Sequence, residues 1–99
     1  MSSMEQIERI MYMEKALDRA KEAVSSLEKA LEEYSSVRGL LRDLSAYYDG
    51  PQWRQDYEDD CAGKLPGDLK RGVLSEDAVY NLLSDHDRLM DQLRELIDQ

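Results

Sequence analysis

The sequence is short of the residues that build most catalytic and metal sites. It has one Cys, one His, one Trp and no Phe, and only two Pro and five Gly among 99 residues. A single cysteine excludes an intrachain disulfide and a cysteine-cluster zinc site, and it fits a reducing compartment. The scarcity of Gly and Pro beside abundant Glu, Leu, Ala, Asp, Lys and Arg is typical of long helices, so we predict an all-α protein without a sheet.

Basic residues are also few. The 13 Lys and Arg stand against 22 Asp and Glu, which gives a formal net charge of −9. Such a surface repels a phosphate backbone, so we expect no direct nucleic-acid binding. An acidic protein can still bind a basic partner. There is no run of about 18 apolar residues, and the segment 1–5 lacks a signal-peptide pattern, so we expect a cytoplasmic protein without membrane contact.

The N-terminal third has the pattern of a coiled-coil helix. Ser2 and Glu5 match a capping box, which predicts a helix start. The apolar residues that follow alternate at steps of three and four, and we call this set the seam: Ile10, Met13, Leu17, Ala20, Val24, Leu27, Leu31 and Tyr34. A helix of this length is a rod of about 50 Å, too long for one small globule to cover. We therefore predict that part of it pairs with the later helices or with another chain.

The rest of the chain predicts shorter helices around a bend. Ser35, Ser36 and Gly39 favour a kink or break, and Gly50-Pro51 favours a new helix start. In the segment 63–77, which we call the bend, Pro66 ends the preceding helix. We expect a turn at 68–71 closed by Gly72 in a left-handed conformation, and Ser75 as the N-cap of the last helix.

The predicted architecture is one helical domain over residues 1–99. The long N-terminal amphipathic helix lies antiparallel to a C-terminal helix from about Glu76 to Ile97, and their periodic apolar faces meet. We also expect self-association through the N-terminal half of the first helix, around residues 7–12, where apolar residues occur on more than one side. The predicted fold is therefore a helical bundle with coiled-coil character.

The bend and the residues before it carry a family resemblance. Tyr47-Tyr48, Trp53, Asp56-Tyr57, Ala62-Gly63-Lys64-Leu65-Pro66 and the run 68–80 resemble a family of small bacterial proteins catalogued as domain of unknown function 4298. The resemblance covers residues 47–83 well and the first helix by pattern. It implies a bacterial, all-helical, cytoplasmic protein and nothing catalytic, and it assigns no role to Cys61 or His86.

Few side chains offer chemistry, and each has a simpler structural explanation. The acidic run 56–60 lacks the loop of alternating ligands that calcium sites use, so we expect a solvated face and no metal. His86 has no identifiable nucleophile, although a pairing with Cys61 across the bend is geometrically open, and we expect a half-buried structural histidine. The three cations of the bend either bind an acidic group or pair with the acidic run, and the aromatic residues either line a groove or close a small core.

We predict from these observations a non-enzymatic protein–protein interaction module without a cofactor, whose partner is a second copy or another protein. The candidate interaction surface consists of Trp53, Tyr57, Lys64, Lys70 and Arg71. One alternative is a small enzyme or ligand-binding protein with a site at the bend, which would use Trp53, Tyr57, Cys61, Lys70, Arg71 and His86. The other alternative is an acidic decoy that occupies a nucleic-acid-binding protein.

Overall fold

A computed structural model describes residues 3–99, and within that range every regular element is helical. Helix α1 spans Met4–Asp49, α2 spans Pro51–Cys61 and α3 spans Ala78–Ile97, and a 3-10 turn covers Gly72–Leu74. The predicted all-α class and the two long terminal helices are confirmed. The chain divides into two units, one ending at Arg38 and one spanning Gly39–Gln99. The single domain over residues 1–99 stays a prediction.

Ser3 caps the N-terminus of helix α1, which begins at Met4. The backbone N–H of Gln6 donates to Ser3 Oγ at 3.0 Å, and the N–H of Ile7 donates to the Ser3 carbonyl at 3.0 Å. Ser3 therefore satisfies one of the free N–H groups of the first turn, as an N-cap residue does. The predicted capping box depends on Ser2, which lies outside the described residues.

Of the predicted kink or break at Ser35, Ser36 and Gly39, the break is wrong, because α1 is one helix from Met4 to Asp49. The kink stays a prediction. A glycine inside a helix costs only about 1 kcal/mol relative to alanine, which strong helix formers on both sides offset. The hydroxyl of Ser36 donates to the Glu33 carbonyl at 2.6 Å, so its polar group is satisfied within the helix.

A Gly-Pro pair begins helix α2, and a glycine beyond its last residue ends it. Gly50 is the N-cap and Pro51 the first residue, as predicted. At the other end the N–H of Gly63 donates to the Asp60 carbonyl at 3.0 Å and the N–H of Lys64 to the Asp59 carbonyl at 2.9 Å. This pair of bonds is a Schellman motif, and it requires the left-handed φ of +71° found at Gly63.

The bend differs from its prediction at Gly72. Its φ is not positive, and Gly72 opens the 3-10 turn instead of closing a helical turn at 68–71. The tight turn lies earlier, where the N–H of Leu69 donates to the Pro66 carbonyl at 3.2 Å. The predicted N-cap at Ser75 is wrong, because α3 begins at Ala78 and its N-cap is Asp77. Ser75 lies two residues earlier, where its Oγ accepts the N–H of Ala78 at 3.2 Å.

The core of the unit spanning Gly39–Gln99 lies at the 3-10 turn. Of the side chains described in residues 3–99, Leu74 and Val79 are the buried apolar ones, at 6% and 4% exposure. The 3-10 turn contacts both α2 and α3. On α3, Leu82, Leu89, Leu93 and Leu96 are exposed. The antiparallel pairing of α1 with the C-terminal helix stays a prediction.

Candidate functional site

Three aromatic rings lie together beside the bend. Trp53 and Tyr57 are one helical turn apart in α2, so both project from the same side. Their rings stack at a centroid distance of 5.2 Å and an angle of 13°. Tyr48, in the last turn of α1, meets the Trp53 ring edge-on at 5.1 Å and 66°. Both arrangements are favourable for aromatic pairs.

The polar tips of these rings hold the segment 73–76. Trp53 Nε1 donates to the Val73 carbonyl at 2.9 Å. The Tyr57 hydroxyl donates to Glu76 Oε1 at 2.6 Å, and the Tyr48 hydroxyl reaches the Glu76 backbone carbonyl at 3.4 Å. We call these three rings and the two residues they hold the ring clasp. Its donors are all engaged within the chain, which supports the core-closing role over a ligand groove.

Two tyrosines of this region have raised pKa values. Burial and the hydrogen bond from Tyr47 to Asp56, at 2.5 Å, raise the pKa of Tyr47 from 10.0 to about 12. The hydrogen bonds of Tyr57 with Glu76 and Cys61 raise the pKa of Tyr57 from 10.0 to about 12. In both cases a neighbouring carboxylate disfavours the negatively charged phenolate, so the phenol keeps its proton to higher pH. Both hydroxyls therefore stay protonated and act as hydrogen-bond donors throughout the physiological pH range.

The predicted basic surface is mostly paired with the acidic run of α2. Arg71 donates to Asp60 at 2.7 Å, with both side chains about one-third exposed or less. Lys64 lies 3.9 Å from Asp59 and is largely exposed, while Lys70 is exposed. The structure thus brings Trp53 and Tyr57 together and ties Arg71 to the end of their helix. The pairing of cations with the acidic run is confirmed for Lys64 and Arg71.

The two single reactive residues have different neighbours. Cys61 is exposed and interacts with Tyr57, one turn earlier in α2. His86 lies on α3 with its side chain 27% exposed, and its Nδ1 is 3.4 Å from Asp87 Oδ1. The half-buried histidine is as predicted. Among residues 3–99 there is no group of three or more His, Cys, Asp or Glu side chains placed to hold a metal ion.

Glu76 was missed as a member of this region. Its position after Ser75 predicts only a favourable charge at a helix start. In the structure its carboxylate and its carbonyl accept from two different tyrosines. Nothing in the local sequence signals this role, because the two tyrosines are 19 and 28 positions away.

The second candidate surface is the seam on α1, within the unit that ends at Arg38. Six of its apolar side chains are about half exposed or more, from 48% at Leu17 to 65% at Val24: Ile10, Met13, Leu17, Val24, Leu27 and Leu31. The charged residues Glu14, Lys21 and Glu28, which flank the seam on one side, are also exposed. No helix in the described part of the chain has the length and apolar character that crossing a membrane requires.

These features define a small all-helical protein with a ring clasp beside the bend and an exposed apolar face on α1. The sequence matches the family described as Domain of unknown function (DUF4298) over residues 10–96, so the chain belongs to this family. The match includes the seam, the ring clasp and α3 as far as Leu96. No curated protein and no solved structure matches the chain significantly.

Proposed function

We propose that the chain is a non-enzymatic protein–protein interaction module that binds another amphipathic helix along the seam of α1. The observation that carries this proposal is the continuous exposure of apolar side chains from Ile10 to Leu31. Single exposed leucines are normal on protein surfaces, but an apolar strip of this length marks an interaction site. At 1.5 Å per residue the strip is about 33 Å long.

The geometry of the strip fits a helical partner. Its steps of three and four keep the apolar side chains on one side of a helix and suit knobs-into-holes packing. Ala16, Ala23 and Ala30 flank this line and let the backbone of a second helix approach closely. A globular partner would need a matching groove, whereas an amphipathic helix has the same repeat.

The hydrogen bonds of the ring clasp support the seam of α1, and not the bend, as the binding surface. Its indole and hydroxyl donors are engaged by Val73 and Glu76, and Arg71 is engaged by Asp60. A ligand at the bend would have to replace these bonds before it gained any of its own. We therefore assign binding to α1 and a stabilising role to the bend.

The test compares two substitutions that add the same charge to the same helical turn. Leu27→Asp places a carboxylate in the seam, and Ser26→Asp places one on the outer face beside it. Each purified variant is used to capture proteins from a lysate and is analysed by sedimentation velocity. We expect Leu27→Asp to lose every specific association that the original chain makes, and Ser26→Asp to keep them.

The two variants also need a common measure of folding. Trp53 lies in the ring clasp, so its fluorescence reports on the unit spanning Gly39–Gln99. We expect equal Trp53 melting curves for both variants, since Leu27 is exposed at 53%. Equal association of Leu27→Asp and Ser26→Asp would refute the seam as the binding surface.

A further inference from the structure

The residues beside the seam carry information about its partner. With Ile10 at position a of a heptad, the g positions are Ala16, Ala23 and Ala30, and the e positions are Glu14, Lys21 and Glu28. Between Glu14 and Ala30 one flank is therefore uncharged and the other alternates in sign, and Arg9 is the g residue before Ala16. Charges at e and g set partner choice and orientation in coiled coils.

Orientation follows from which flanks meet. In a parallel pair the e flank of one helix faces the g flank of the other, so here Lys21 and Glu28 would face alanines and Glu14 would face Arg9. In an antiparallel pair e faces e, and charges meet charges. A second copy running antiparallel can thus satisfy Lys21 with a glutamate twice, once on each side of the two-fold axis.

We infer that the seam binds a second copy of this chain, antiparallel, with Lys21 of each copy opposite Glu28 of the other. This inference rests on the proposed function. The two-fold axis then passes between Ser25 and Ser26. Val24 faces Leu27 of the second copy, Ala20 faces Leu31 and Leu17 faces Tyr34, so apolar residues meet in all six central layers.

Shifting the copies by one heptad gives a poor match. It places Lys21 opposite Lys21, and Glu14 opposite Glu28, so every charge meets its own sign. A shift by two heptads pairs Lys21 with Glu14, but it sets Gln6 against Leu31 and Ile7 against Glu28. In the register that we propose, the long aliphatic stem of Arg38 faces Met13, which such a stem can cover.

Charge reversal and mixing test this register. Lys21→Glu makes both interhelical pairs repulsive, and so does Glu28→Lys. We expect each variant alone to dimerise about tenfold more weakly or worse, because two exposed pairs change from attraction to repulsion. An equimolar mixture of the two variants restores both pairs, so we expect native mass spectrometry to show heterodimers well above the half of all dimers that random pairing gives.

Matched controls change the same charges on the outer face. Lys29→Glu and Glu22→Lys occupy f positions in the same turns, and we expect them to dimerise like the original chain. Circular dichroism and Trp53 fluorescence are the checks that each variant remains folded. High salt is expected to reduce the preference for heterodimers, since the pairs are exposed.

The outcomes separate this inference from the proposed function. Dimers whose affinity is unchanged by Lys21→Glu and Glu28→Lys would overturn the antiparallel register, as would a loss caused by Glu14→Lys but not by Glu28→Lys. A chain that is monomeric at all concentrations, yet loses a captured protein on Leu27→Asp, would overturn the second copy as occupant and leave the seam as a binding surface. Failure of Leu27→Asp to change any association would overturn both.

Discussion

Gly63 is the position at which the backbone demands a particular residue. It ends α2 with a φ of +71°, and no atom lies within 4 Å of the place that a Cβ would take. A substitution there is thus opposed by the backbone conformation and not by crowding. Because the left-handed conformation costs an L-residue about 1–2 kcal/mol, Gly63→Ala measures this term almost alone.

The expected loss is smaller than the full conformational term. Alanine also restricts the unfolded chain, which returns about 0.4–1 kcal/mol of stability. We therefore expect Gly63→Ala to lower the free energy of unfolding of the unit spanning Gly39–Gln99 by about 1 kcal/mol. For a unit of this size such a loss lowers the Tm by about 4–8 °C. Gly63→Asn is expected to lose less, because asparagine tolerates the left-handed region better.

Gly72 provides the matched control. Its φ lies outside the left-handed region, and a Cβ at Gly72 would also meet no atom within 4 Å. Gly72→Ala is therefore expected to be neutral, or slightly stabilising through the unfolded chain. Thermal and urea unfolding followed by Trp53 fluorescence measure both variants. Equal losses for Gly63→Ala and Gly72→Ala, or no loss for Gly63→Ala, would refute the assignment of the Schellman motif.

Two further perturbations test the contacts around the ring clasp. The pKa values of Tyr47 and Tyr57 are raised from 10.0 to about 12 in the folded state, so their stabilisation is complete below pH 10 and is lost as the pH rises to about 12. We expect the urea midpoint to fall over this interval, with a smaller fall for the variant Tyr47→Phe/Tyr57→Phe; an equal fall in that variant would contradict the assignment. Arg71→Ala is expected to lower the free energy of unfolding by about 0.5–1 kcal/mol through loss of the half-buried pair with Asp60, and the exposed Lys70→Ala by almost nothing. Equal melting temperatures for these two variants would remove the stabilising role of the Arg71 pair.

The helical architecture could be predicted because its signals are local. The heptad alternation and the Gly50-Pro51 step each depend on residues a few positions apart, and both gave the correct elements. The break at Ser35, Ser36 and Gly39 was predicted wrongly because residue propensities in a helix interior are worth only about 1 kcal/mol or less. Strong helix formers on both sides can outweigh such weak terms.

The bend could be predicted only in outline. Gly63 and Gly72 both follow helix-forming stretches, and the neighbouring residues do not reveal which of the two glycines adopts the left-handed conformation. That choice depends on which carbonyls of α2 remain free at its last turn. The role of Glu76 depends on tyrosines far away in the sequence, so no pattern within a helical period could indicate it.

The ring clasp also closes a loop of the chain between α2 and the segment 73–76. Trp53 and Val73 are 20 positions apart, and Tyr57 and Glu76 are 19 apart, so the clasp closes a loop of modest size. Closing a flexible loop costs entropy that grows slowly with length, and doubling the loop adds only about 0.6 kcal/mol. The exposed turn at 66–70 therefore lies where added residues disturb the clasp little. Natural length variation or an inserted peptide tag is best accommodated at this turn.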